Sequence, residues 1–175
     1  LYPKLNDMSN YLTPEKKAYY QNEFAKVLQC KDTDWDLDKG LLSILTEINK
    51  NPNIQTILSK RSENLTKSND SYLHFTFTKE VEEKLKRILW RMKTTFERKG
   101  NGNGLGVKYY AAEHFSDMEV DESEVDQNIK NLDCVTNVKN YIDIDSLFVQ
   151  LFSFNERVHE SFWETLKKEL GSVTK

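Results

Sequence analysis

Strong helix breakers are distributed very unevenly along this chain. The three prolines are Pro3, Pro14 and Pro52, and four of the six glycines crowd together as Gly100, Gly102, Gly104 and Gly106. Proline removes a backbone donor and glycine carries a large entropic cost in a helix, so stretches free of both can run as long helices. Architectures built from many tight turns are disfavoured by the same count. With 175 residues, 38% of them apolar and 30% charged, the chain can bury about two-thirds of its unfolded surface and is too rich in Leu, Ile, Val and Phe to stay unfolded. The expected fold is all-α, a helical bundle of about five or six helices with a Gly-rich linker and an acidic, partly flexible segment.

Periodicity sets the expected helices. Thr13-Pro14-Glu15 has the order of a cap, a first helical residue and a dipole-matched acid, ahead of a stripe at Tyr20, Phe24, Val27 and Leu28. Leu37, Leu41, Ile44, Leu45 and Ile48 mark a second helix, which Pro52 stops, and Ile54, Ile57, Leu58 and Leu65 suggest a third, running into a mobile polar stretch at Thr66 to Ser71. Thr78 opens the clearest element: Val81, Leu85, Ile88, Leu89, Met92 and Phe96 recur at three- and four-residue spacing. Gly100 to Gly106 then reads as a solvated, protease-sensitive linker. A shorter helix is expected over Val125, Ile129 and Leu132, and a long final one from near Asp143 through Leu147 to Leu170, capped by Gly171. The expected organisation is one helical domain over 1–175, divisible into a bundle at 1–99, a linker and acidic segment at 100–124, and C-terminal helices at 125–175.

The motifs of chemistry are missing. Gly102-x-Gly104-x-Gly106 follows a helix rather than a strand and lacks a following Lys-Ser/Thr, so it does not suit a phosphate cradle. His74, His114 and His159 are far apart, and Cys30 and Cys134 form no C-x-x-C, so no metal site and no disulfide framework is expected. The cysteines read as buried thiols. No catalytic residue, cofactor or small-molecule substrate is indicated, and no enzyme is expected. Asn64-Leu65-Thr66 and Asn69-Asp70-Ser71 match the glycosylation sequon by chance in an Asn-rich chain. No apolar run approaches 20 residues, so no membrane span is expected, and the localisation read from this is cytoplasmic or nuclear.

Charge is the informative pattern. The net charge of −3 conceals a segment, Lys84 to Lys108, with eight cations against Glu97 (+7), followed by Tyr109 to Asp145 with ten acids against two lysines (−8). At 100° per residue, Lys84, Arg87, Arg91 and Arg98 form a strip beside the apolar stripe, and Trp90 falls opposite that stripe near Lys86 and Lys93. Three readings follow. The acidic segment folds back over the strip and covers Trp90; or the strip and Trp90 form a docking face for a protein partner, such as an acidic, partly hydrophobic peptide; or the strip contacts nucleic-acid phosphates. The leading functional expectation is a non-catalytic docking or scaffold module of an intracellular assembly, with Trp90, Lys84, Arg87, Arg91, Arg98, Lys86 and Lys93 as its partner-binding residues. The alternative is a nucleic-acid- or chromatin-associated domain of the nucleus using the basic strip of the 79–99 helix.

Overall fold

The computed structural model of the chain describes residues 10–28, 41–62, 69–98, 102–111 and 144–175, without side chains at 26–28. Within them the architecture is mixed α/β, not a helical bundle. Four helices, α1 (Pro14–Leu28), α2 (Leu41–Asn49), α3 (Glu82–Glu97) and α4 (Glu156–Ser172), accompany four strands, β1 (Ile54–Lys60), β2 (Asp70–Phe77), β3 (Gly104–Tyr110) and β4 (Ser146–Phe152). The strands form one antiparallel sheet in the order β1-β2-β4-β3. Chain neighbours β2 and β3 are therefore separated in space by β4, and α3 carries the chain between them.

The all-α expectation fails at all four strands, and β2 takes in Asp70 and Ser71 from the end of the polar stretch expected to be mobile. Ile54 to Leu58 is a strand rather than a third helix, with an irregularity between Thr56 and Leu58 that shifts its register against β2. Leu147 to Phe152 is the central strand β4 rather than the first half of a long final helix. Gly104 to Tyr110 is an outer strand rather than linker, and among the described residues only Gly102 takes a positive φ, of 88°. Strands β1 and β4 carry apolar residues on both faces, so the alternation that marks a half-solvated strand is absent there. In β3, by contrast, Leu105, Val107 and Tyr109 do alternate with Gly106 and Lys108, and the run of glycines hid the pattern. In β4, Leu147, Val149 and Leu151 face the helices while Phe148, Gln150 and Phe152 face the other way. Leu147, Phe148, Leu151 and Phe152 then mimic helical spacing.

One face of the sheet is covered by α2, α3 and α4. Leu73, Phe75 and Phe77 of β2, the inward residues of β4, and Leu105 of β3 meet Leu41, Ile44, Leu45 and Ile48 of α2, the expected stripe of α3, and Phe162, Trp163, Leu166 and Leu170 of α4 in one buried cluster. Leu85, Ile88, Leu89, Met92 and Phe96 are all buried, as their spacing predicts. Helix α1 lies against β1, where Leu12 and Tyr20 pack with Ile144.

Polar groups fix the helix ends. Thr13 Oγ1 accepts from the Lys16 amide at 3.2 Å and so caps α1. Asn155 caps α4 by accepting from the Arg157 amide. Gly171 is not a left-handed C-cap: α4 runs through it, and Asn51 Nδ2 instead donates to the carbonyls of Leu170 at 2.7 Å and Val173 at 2.8 Å. The expected helix at Val125 to Leu132, both cysteines, the acidic run from Glu113 to Asp126, Leu37 and Leu65 lie outside the described residues.

Candidate docking groove on α3 and α4

Because α3 buries Leu85, Ile88, Leu89, Met92 and Phe96 against the sheet and α4, its opposite side must face away from the core. Trp90 stands there with 69% of its surface exposed. It lines an open groove of about 1040 Å³ between α3 and the C-terminal end of α4, together with Lys84, Lys86, Arg87 and Arg91. Five of the seven residues singled out by charge and phase are thus brought together. The other two are elsewhere: Lys93 Nζ binds the Leu105 carbonyl of β3 at 2.9 Å and Glu97 at 2.5 Å, and Arg98 forms the C-cap position of α3.

The cations are unequal in what they can offer a ligand. Lys84 Nζ donates to the Thr174 carbonyl at 2.7 Å, and this ties α3 to the end of α4. Lys86 pairs with Glu82 at 3.2 Å and Glu83 at 3.7 Å; the Glu82 contact raises its pKa. Such exposed pairs within a helix are screened by solvent and contribute little. Arg87 reaches only the Glu83 carbonyl, at 3.4 Å, and Arg91 and Arg98 have no partner among the described residues. Among the described residues Lys84, Arg87 and Arg91 of the groove have no carboxylate partner, since a carbonyl that accepts a hydrogen bond does not neutralise the charge, while Glu83 and Glu169 also line the groove. Arg87 and Arg91 carry guanidinium groups, suited to two-pronged recognition of carboxylates.

Sequence reasoning missed the opposite wall. Glu169, Ser172, Val173 and Thr174 line the groove from α4 and the residues after it. Nothing in a one-dimensional pattern places α4 beside α3. The sheet face turned away from α2, α3 and α4 was missed as well. There Tyr72, His74, Tyr110 and Phe148 pack edge-on or tilted with ring centroids 5.1–6.0 Å apart. The residues were visible, but only β pairing makes them neighbours.

Two histidine–serine pairs are buried. His159 Nδ1 meets Ser71 Oγ at 2.7 Å and its Nε2 meets the Ser153 carbonyl at 2.8 Å, so Nε2 carries the proton and Nδ1 accepts from the hydroxyl. Ser71 Oγ also accepts from the Ser62 amide. Both Ser71 and His159 are buried. His74 Nε2 meets Ser146 Oγ at 2.6 Å across the sheet. Among the described residues no group of His, Cys, Asp and Glu has the disposition of a metal site, and no helix is long and apolar enough to cross a membrane. No protein-family model, no curated protein and no solved structure shows a significant match to the chain.

Proposed function

We propose that the chain is a non-catalytic docking or scaffold module of a cytoplasmic or nuclear assembly, and that an acidic segment of a protein partner binds along the outer side of α3. The observation that supports this reading is the exposure of Trp90 within a groove lined by four cations, Lys84, Lys86, Arg87 and Arg91, against two acids, Glu83 and Glu169. A tryptophan has a large contact area and little conformational freedom to lose, and Trp and Arg are the residues that most often carry interface energy. Its helix is held by a buried stripe on the other side, so the tryptophan is presented on a rigid support.

Recovery of partners from the source cell on immobilised chain, compared with the Trp90→Ala variant and repeated after nuclease treatment, tests the reading. Partners should be lost with Trp90→Ala and kept after nuclease. Loss after nuclease, together with binding of oligonucleotides that weakens steeply with salt, would favour phosphate contact by Arg87, Arg91 and Arg98 instead.

A further inference from the structure

Building on the docking reading, we propose that the groove recognises a bipartite peptide, with acidic residues over Arg87 and Arg91 and one aliphatic side chain seated in a second hollow farther along the α3–α4 seam. That hollow, of about 240 Å³, is lined by Met92, Thr95 and Phe96 of α3 and Thr165 of α4. It shares Ile88, Arg91 and Glu169 with the larger groove, so the two form one continuous track.

The chemistry of the hollow selects its occupant. Its volume is below the roughly 300 Å³ at which ordinary small-molecule pockets begin, which suits a single side chain. Met92 and Phe96 provide a buried apolar floor. The Thr165 hydroxyl is already committed to the Ser161 carbonyl at 2.7 Å, so it adds little polarity. Arg91 stands where the two hollows meet, and Glu169 lines the same junction from α4 without forming an ion pair with it. Besides the shared Arg91 and Glu169, the larger hollow carries Lys84, Lys86 and Arg87 against one further acid, Glu83, so a ligand carboxylate is drawn there, whereas in the small hollow Glu169 offsets Arg91. Glu169 is a specificity-determining residue that rejects acids next to the aliphatic anchor.

A random peptide library displayed on phage, selected against the whole chain and its variants, tests the inference. The wild type should enrich peptides with an acidic cluster and one Leu, Ile or Met at constant spacing from it. Replacing that residue by Ser in a synthetic peptide should weaken binding about tenfold or more, since burying such a side chain is worth more than the 1.4 kcal/mol of one decade. Thr95→Trp, at an exposed position, and Thr165→Tyr from the other wall should each fill the hollow and cause a similar loss. Glu169→Lys should admit acids beside the anchor. Enriched peptides without a fixed aliphatic position, or indifference to all three variants, would overturn the bipartite mode. If Trp90→Ala and the Arg87→Glu/Arg91→Glu pair select the same peptides as the wild type, or if nothing is enriched at all, the docking reading itself fails.

Discussion

Trp90 and Lys17 show how differently two side chains can stand to the fold that carries them. Trp90 packs on little of its own domain, so Trp90→Ala should move the melting temperature by no more than about 1 °C while weakening partner or peptide binding by about 2 kcal/mol or more. Calorimetric melting and titration of the same variant check both halves. A fall of several degrees without a change in binding would place Trp90 in the core. Lys17 is the opposite case. Its half-buried ammonium donates to the carbonyls of Asn49 at 3.0 Å and Ile54 at 2.5 Å and to Gln55 Oε1 at 3.2 Å, joining α1 to the end of α2 and the start of β1. Burial pushes its pKa down to about 8 from 10.5. Between those values the unfolded chain holds a proton that the fold has released, so stability should rise with pH through that window. Solvent screening of a half-exposed group keeps the gain near 1 kcal/mol. Lys17→Met should abolish the rise in urea titrations run from pH 8 to 10. Above pH 10 the raised pKa values of Tyr11, Tyr72 and Tyr109 act the other way, because the unfolded tyrosines ionise first.

Among the elements, α3 and β4 illustrate the two ways a short apolar segment can be read. Helix α3 is amphipathic, with one buried stripe and charges elsewhere, so its period is visible without any knowledge of its neighbours. Truncating Leu85 or Leu89 to Ala should cost roughly 2–5 kcal/mol in denaturant titrations, because each leaves a cavity in a packed interior. Strand β4 pairs on both sides and is apolar on both faces, and its seven residues are compatible with two turns of helix. Hydrogen exchange distinguishes the forms. Amides from Leu147 to Leu151 should exchange among the slowest in the chain, and Gln150→Pro should prevent folding by removing a ladder bond from the middle of the sheet. The cue to the boundary was Asn155-Glu156, a cap and a first-turn acid in the middle of what reads as one helix.

At the scale of the whole molecule, charge acts through position rather than total. The chain is acidic overall, with a net charge of −3, yet among the described residues Lys84, Arg87 and Arg91 line one groove without a carboxylate partner. Reversing Arg87 and Arg91 to Glu should slow association with an acidic peptide by about tenfold at low salt and change dissociation less, since charges outside a buried centre steer encounter. Surface plasmon resonance at two ionic strengths separates the rates. A change confined to dissociation would mean that the arginines are buried in the complex.

The α3 stripe, the Thr13 cap, the end of α2 before Pro52 and the outward phase of Trp90 follow from local order alone. Helical periodicity and end signals act within a few residues, and neighbours in sequence are neighbours in space. The sheet was decided elsewhere. Pairing β2 with β4 joins residues such as Leu73 and Val149 that are distant along the chain, and apolar residues on both faces of β4 erase the alternation that would have announced it. The groove divides in the same way. Its α3 side was legible as Trp90 among cations, while Glu169, Thr165 and Val173 became part of it only when the sheet set α4 alongside.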